Sequence, residues 1–181
     1  MKILFITRQY IHNVGGMEKF SIEFHENYNK IIGKMDLLAN TGGKKTQLSF
    51  LIRAIIFIIL NSNKYDLIHF GDAALSPLTM LIKLFSKAKV SCTVHGLDVV
   101  KTKFFYQWYM PFFMKQIDLV IANSNYTMEQ CLIRGISKQK LSVIPMGLSF
   151  GTVNYHSDEE INSILSKFQI PWQNRDRRAH V

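Results

Sequence analysis

The sequence predicts an α/β fold: a parallel sheet of about six or seven strands in one domain, with helices on both faces. Two observations carry that expectation. Short apolar runs recur at Ile3–Thr7, Asp36–Ala39, Leu67–Phe70, Val90–Val94, Leu119–Ala122 and Ser142–Ile144. The stretches between them place apolar residues at helical spacings, the alternation that builds βαβ units. In addition, two runs share one wording, Tyr65-Asp66-Leu67-Ile68 and Ile117-Asp118-Leu119-Val120. An aspartate ahead of an unbroken apolar core is expected of central strands covered on both faces.

Taken in order, the first run leads through Arg8 to Gly15-Gly16 and then Met17-Glu18-Lys19-Phe20. Strand, glycine turn and helix in succession bring backbone N–H groups at a helix N-terminus close to a phosphate or other anion. The helix that follows has Met17, Phe20, Phe24, Tyr28 and Ile31 on one face and charged residues on the others. Glu18 in its first turn either complements the helix dipole or faces a polyhydroxyl ligand. The dinucleotide pattern GxGxxG is absent, which argues against a nicotinamide cofactor.

The second helix is apolar nearly all round from Leu48 to Leu60, so its outer face needs cover. Arg53 interrupts it and it falls short of the roughly 20 residues of a spanning helix, so no transmembrane segment is expected. A third helix is expected over about Ala74–Ser86 with Pro77 in its first turn, and another from Ser124, which can cap it, to Gly135, which can stop it. Residues Lys103–Lys115 crowd aromatic side chains around Pro111 and predict a kinked helix. A short helix is expected over about Asp158–Phe168, followed by a polar, arginine-rich tail.

Three strand ends carry candidate chemistry, because doubly wound sheets place ligands at the carboxyl ends of their strands. In Thr93-Val94-His95-Gly96-Leu97-Asp98 a histidine beside Gly and Asp can act as a base or a hydrogen-bonding group near neutral pH. In Ile68-His69-Phe70-Gly71-Asp72, either His69 or Asp72 falls near the same edge, with loop solvation the plainer reading. In Ala122-Asn123-Ser124, a strand runs straight into a helix whose amides and hydroxyls can bind an anion, although capping alone accounts for Ser124.

Composition narrows the class of partner. Lys and Arg outnumber Asp and Glu by 22 to 13, a net charge of +9, which favours nucleotide phosphates, acidic lipid headgroups or nucleic acid. The basic residues are scattered and match no recognition motif, so nucleic acid is not expected. The 48% hydrophobic content is high enough that part of the surface is expected to be covered. Cys92 and Cys131 have no metal-ligand spacing and read as buried free thiols of a reducing compartment. No metal site is expected. The first residues lack a signal-peptide pattern, which places the chain in the cytoplasm. The apolar second helix, the Phe104–Phe113 cluster and the positive balance also allow an anionic membrane surface as a partner, with burial against the sheet the plainer reading.

The order of these segments, Gly-Gly-x-Glu after the first strand, His-Gly-x-Asp, Ala-Asn-Ser opening a helix, and Leu141-Ser142-Val143-Ile144-Pro145-Met146-Gly147, resembles the N-terminal half of family-four GT-B glycosyltransferases. The resemblance covers the chain to about Pro171. It implies a Rossmann-like glycosyltransferase N-terminal domain over residues 1–170, a truncated linker or tail over 171–181, and a C-terminal donor domain supplied elsewhere, on a missing segment or a complementary subunit.

The activity it implies is retaining transfer of a hexose from a nucleoside-diphosphate sugar, the donor substrate, to a glycan or lipid-linked acceptor in cell-surface polysaccharide biosynthesis. No cofactor or metal is implied. Carried over position by position, Gly15, Gly16, Asn123 and Ser124 lie near the donor phosphates. Met17, Glu18, His69 and Asp72 lie near the acceptor, and His95, supported by Asp98, lies beside the reacting sugar. The alternative is a non-catalytic half-transferase that binds a partner without turnover.

Overall fold

A computed structural model describes residues 1–10, 15–96, 99 and 104–147, with 159, 163, 166 and 167 beyond them. The chain divides into two compact units, Met1–Met146 and Gly147–Val181. Within the second, Glu159, Ser163, Ser166 and Lys167 are helical, and the rest of the helix expected over Asp158–Phe168 lies outside the described residues.

The first unit is built on six parallel strands, β1 (Ile3–Thr7), β2 (Asp36–Ala39), β3 (Leu67–Phe70), β4 (Lys89–Val94), β5 (Leu119–Ala122) and β6 (Leu141–Val143). They lie in the order β2-β1-β3-β4-β5-β6. The chain therefore steps outward from β1 to β2, then crosses back to β3 on the other side, which makes the gap between β1 and β3 the topological switch point.

Alternation along β1 sorts the two faces. Ile3 and Phe5 pack with Met35 against Phe24 and Tyr28 of α1 (Gly16–Ile31). Leu4 and Ile6 join the larger core with Phe50, Ala54 and Ile58 of α2 (Gln47–Asn61) and Ile82 of α3 (Leu78–Phe85). That core also takes Met110 and Met114 of α4 (Phe104–Met114) and Cys131 of α5 (Asn125–Ile133). Both cysteines are free and buried, and burial pushes the Cys131 thiol up to about 11.

The shared aspartates have a structural job at the foot of the sheet. The Asp66 carboxylate accepts the Lys2 amide at 2.6 Å, and that of Asp118 accepts the Val90 amide at 2.9 Å. The first covers the N–H of the residue just before β1, and the second that of the second residue of β4.

Two helices differ from expectation. Around α2, 3₁₀ turns at Gly43–Thr46 and Ser62–Lys64 extend the helical run to 22 residues, so by length and composition it could cross a membrane. The sequence undercounted it because the polar ends continue the helix. The third helix is shorter than expected, because Asp72 caps a separate 3₁₀ turn at Ala73–Leu75 and Pro77 becomes the cap of α3. α4 is the aromatic helix expected around Pro111, with the proline inside it.

Gly135 does stop α5. Its φ of +79° is a left-handed conformation natural to glycine, with Ile136 N donating to Cys131 O at 3.1 Å and Gly135 N to Leu132 O at 2.8 Å.

Candidate functional site

The carboxyl ends of β1 and β3 meet at the switch point through one ion pair. Arg8, the residue after β1, grips Asp72, two residues after β3. Its Nε donates to both carboxylate oxygens at 3.0 and 3.2 Å, and its Nη2 to Oδ1 at 2.8 Å. Asp72 also accepts the Ala74 amide at 3.0 Å and is 2% exposed, so it holds Arg8 and the following turn and does not face an acceptor as expected. Arg8 stays partly open and extends Nη1 to Gln47 Oε1 at 3.2 Å.

The close approach is possible because the residue between β3 and Asp72 is glycine. A Cβ on Gly71 would lie 2.9 Å from Thr7 Oγ1 and 3.0 Å from Thr7 Cβ, and the Gly71 amide donates to Ile6 O at 2.9 Å.

His95 sits next to this pair, at the end of β4. Its ring is buried and lies edge-on to Phe20 of α1, with centroids 5.2 Å apart. Burial pushes its pKa below the usual imidazole value, opposed by a backbone hydrogen bond to Gly71 and by the charge of Asp72. Tyr109 of α4 faces the same charges. Burial raises its phenol, Arg8 lowers it and Asp72 raises it. Arg8, Asp72, His95 and Tyr109 thus form one polar cluster drawn from four elements.

On one side of the cluster is the start of α1. Gly15 is extended, with φ of −170°, and Gly16 has no atom within 4 Å of where a Cβ would stand. Neither glycine is required by its backbone conformation, so the sequence argument from a tight turn does not apply. What Gly16 leaves is open space at the α1 N-terminus. The Glu18 carboxylate folds back on Gly15, 2.7 Å from the site of a Cβ there, while Met17 is half-buried beside it.

Across the rim is the start of α5. Ser124 caps it by accepting the Thr127 amide at 3.2 Å, and Asn123 Oδ1 accepts from the buried Thr127 hydroxyl at 2.7 Å. Thr127 reaches ordinary contact distance, 3.6 Å, from the Cβ position of Gly96. The structure therefore brings the Asn123-Ser124 corner and the His95-Gly96 corner together. Asp98 lies outside the described residues.

His69 does not reach this rim. Its ring is buried beneath α1 between Phe5 and Phe24, and its nitrogens meet Ser91 Oγ at 2.8 Å and Thr93 Oγ1 at 3.1 Å. Burial lowers its pKa to about 4, so it is a neutral packing group at pH 7. Alternation explains the correction, because His69 points to the α1 side inside the sheet and only residues beyond the strand end reach the edge.

Sequence reasoning missed Arg8, Tyr109 and Thr127. The one available signal was position, since Arg8 directly follows a strand and Thr127 lies in the first turn of a helix that follows one. Among the described residues, no group of three or more His, Cys, Asp and Glu could hold a metal ion.

A parallel sheet with helices on both faces and a polar cluster at its switch point defines a Rossmann-like domain of the kind found in GT-B glycosyltransferases. Residues 19–150 match the model of glycosyltransferase family 4, and the chain belongs to that family.

Solved structures share the fold. HepE of Anabaena in complex with UDP matches with a TM-score of 0.63 at 18% identity, over 93% of this chain and 50% of that one. HepE in complex with UDP-glucose matches with a TM-score of 0.63 at 16% identity, over the same shares of 93% and 50%. The lipopolysaccharide outer core galactosyltransferase WaaB, in its apo form, matches with a TM-score of 0.55 at 24% identity, over 84% of this chain and 48% of that one. This chain thus spans about half the length of the structures it matches. No curated protein matches it by sequence.

Proposed function

We propose that this chain is the acceptor-side domain of a retaining glycosyltransferase that moves a hexose from a nucleoside-diphosphate sugar to a glycan or lipid-linked acceptor in cell-surface polysaccharide assembly. The observation that carries the reading is the cluster at the switch point, where His95 lies between the open N-terminus of α1 and the start of α5. Family membership and the nucleotide-sugar complexes of HepE support it.

In this reading the α1 N-terminus offers backbone N–H groups and a positive dipole end to the donor diphosphate, and the space at Gly16 admits it. Burial favours the neutral form of His95, so the imidazole can share hydrogen bonds with sugar hydroxyls without carrying a charge. Arg8, fixed by Asp72, adds a cation at the same edge. The phosphate charge is met by these groups and by a facing donor domain, with no resident metal and a cytoplasmic site of action.

The test is transfer of labelled sugar from a panel of nucleotide-sugars by the chain combined with a donor-side domain. His95→Ala is expected to lower turnover by about 100-fold or more. Tight binding of a partner chain with no transfer from any donor, or transfer unaffected by His95→Ala, would refute the enzymatic reading in favour of a binding module.

A further inference from the structure

The outer face of the α2–α3 layer is apolar and open. α2 packs along α3, and its inner stripe of Phe50, Ala54 and Ile58 is fully used in the core. On the opposite stripe Leu48 is 72% exposed, Ile52 and Ile56 each 53% and Leu60 66%, and α3 adds Leu84 at 74%. Contiguous apolar exposure on this scale marks a surface that is covered in use.

Charge identifies what covers it. From Leu37 to Tyr65 and from Ala73 to Gly96 the sequence has no Asp or Glu, while Lys44, Lys45, Lys64, Lys83 and Lys87 are all exposed around the two helices. Lys44 and Lys45 precede the first turn of α2, and Lys64 and Lys87 follow the ends of α2 and α3. Of these, Lys83 pairs with Asp118 at 3.6 Å, at the foot of the sheet. Arg53 does not break the apolar stripe, because its Nη2 is drawn back to the Ala39 carbonyl at 2.6 Å.

We infer that this face lies flat on an anionic bilayer, its Leu and Ile side chains at the headgroup boundary and its lysines on acidic lipid. Aliphatic residues bordered by lysine fit a membrane surface. Protein interfaces instead favour Tyr, Trp and Arg and are poor in Lys. A second copy of the chain would set lysines against lysines, the nearest carboxylates, Asp66 and Asp118, lying at the foot of the sheet. Spanning is disfavoured even though the helical run is long enough, because insertion would strip Phe50, Ala54 and Ile58 from the core.

The inference stands apart from the sugar-transfer reading, since vesicle binding needs no turnover and either can fail alone. The full chain is floated with phosphatidylcholine vesicles, with and without about 30% phosphatidylglycerol. It is expected to float with the acidic vesicles only, and to be released at about 0.5 M salt, where charges are screened within a few ångström. Ile52→Gln/Ile56→Gln should weaken binding roughly 100-fold, and Lys44→Gln/Lys45→Gln roughly 20-fold.

All four side chains are exposed, so circular dichroism and melting should match the parent. Ile31→Gln, on α1 across the sheet, should change nothing. Three results would overturn the inference: no flotation with either vesicle, equal flotation with both, or a dimer in ultracentrifugation that Ile52→Gln/Ile56→Gln abolishes.

Discussion

Removing Arg8 alone should cost the fold more than removing Arg8 and the charge of Asp72 together. Asp72 is 2% exposed and spends its oxygens on three contacts from Arg8, at 2.8, 3.0 and 3.2 Å, and one from the Ala74 amide. Arg8→Ala leaves that carboxylate buried without its cation, which typically costs 3–5 kcal/mol. The surviving Ala74 bond puts the expected loss near the low end, about 3 kcal/mol. Arg8→Ala/Asp72→Asn keeps an oxygen for Ala74 and buries no charge, so its loss should be about 1 kcal/mol.

The coupling between the two substitutions is then about 2 kcal/mol plus whatever Asp72→Asn alone costs, well above the scatter of independent sites. For a chain of this size the single variant should lower the melting temperature by about 6–12 °C and the double by about 2–4 °C. Urea unfolding at pH 7 of the parent, both single variants and the double variant measures the cycle. A double variant less stable than Arg8→Ala, or a loss under 1 kcal/mol for Arg8→Ala, would refute the argument that the pair is a buried, mutually dependent joint.

His69 makes the fold acid-sensitive. Its folded pKa of about 4 lies below the unfolded value of 6.5, so the unfolded state takes the proton first as pH falls. Stability from this group is complete above 6.5 and falls by about 3 kcal/mol on descending to pH 4. An NMR titration in which the His69 ring protonates near pH 6.5 would contradict it. Gly71→Ala and Gly16→Ala should part company. The first drives a Cβ to 2.9 Å from buried Thr7 and is expected to destabilise by about 1–3 kcal/mol. The second meets no atom within 4 Å, so it should hold or gain up to about 1 kcal/mol in thermal melts. If donor phosphates occupy the space at Gly16, transfer should nevertheless fall, and unchanged transfer by a stable Gly16→Ala variant would place the donor elsewhere.

The strands were legible because parallel strands buried on both faces must be apolar throughout, so β1, β2, β3 and β5 begin and end where the apolar runs do. β4 begins one residue earlier, at Lys89, whose amide bonds to the Asp66 carbonyl at 2.9 Å, a contact that no local pattern announces. His95 could be picked out by its place at a strand end. Arg8 shares that position after a strand, but its role comes from Asp72, 64 positions away, and an ion pair leaves no trace in local periodicity. His69 misled for the complementary reason. One residue separates it from Gly71, yet the pleat turns it into the core, where Ser91 and Thr93 satisfy a ring that burial keeps neutral.

That buried histidine also bears on how the site is kept in place. His69 pairs in register with Ser91, and Thr93 is the next residue of β4 on the same face. The ring reaches both hydroxyls, at 2.8 and 3.1 Å. A slip of β4 by one position would present Val90, Cys92 or Val94 to the ring instead, leaving its nitrogens unsatisfied in the core and turning apolar side chains toward α1. The register of β4 against β3 in turn fixes how far His95 projects past the end of the sheet relative to Gly71 and Asp72. Because Arg8 ties the end of β1 to Asp72 and also meets Gln47 at the head of α2, the same joint sets where the apolar face begins, one residue later at Leu48.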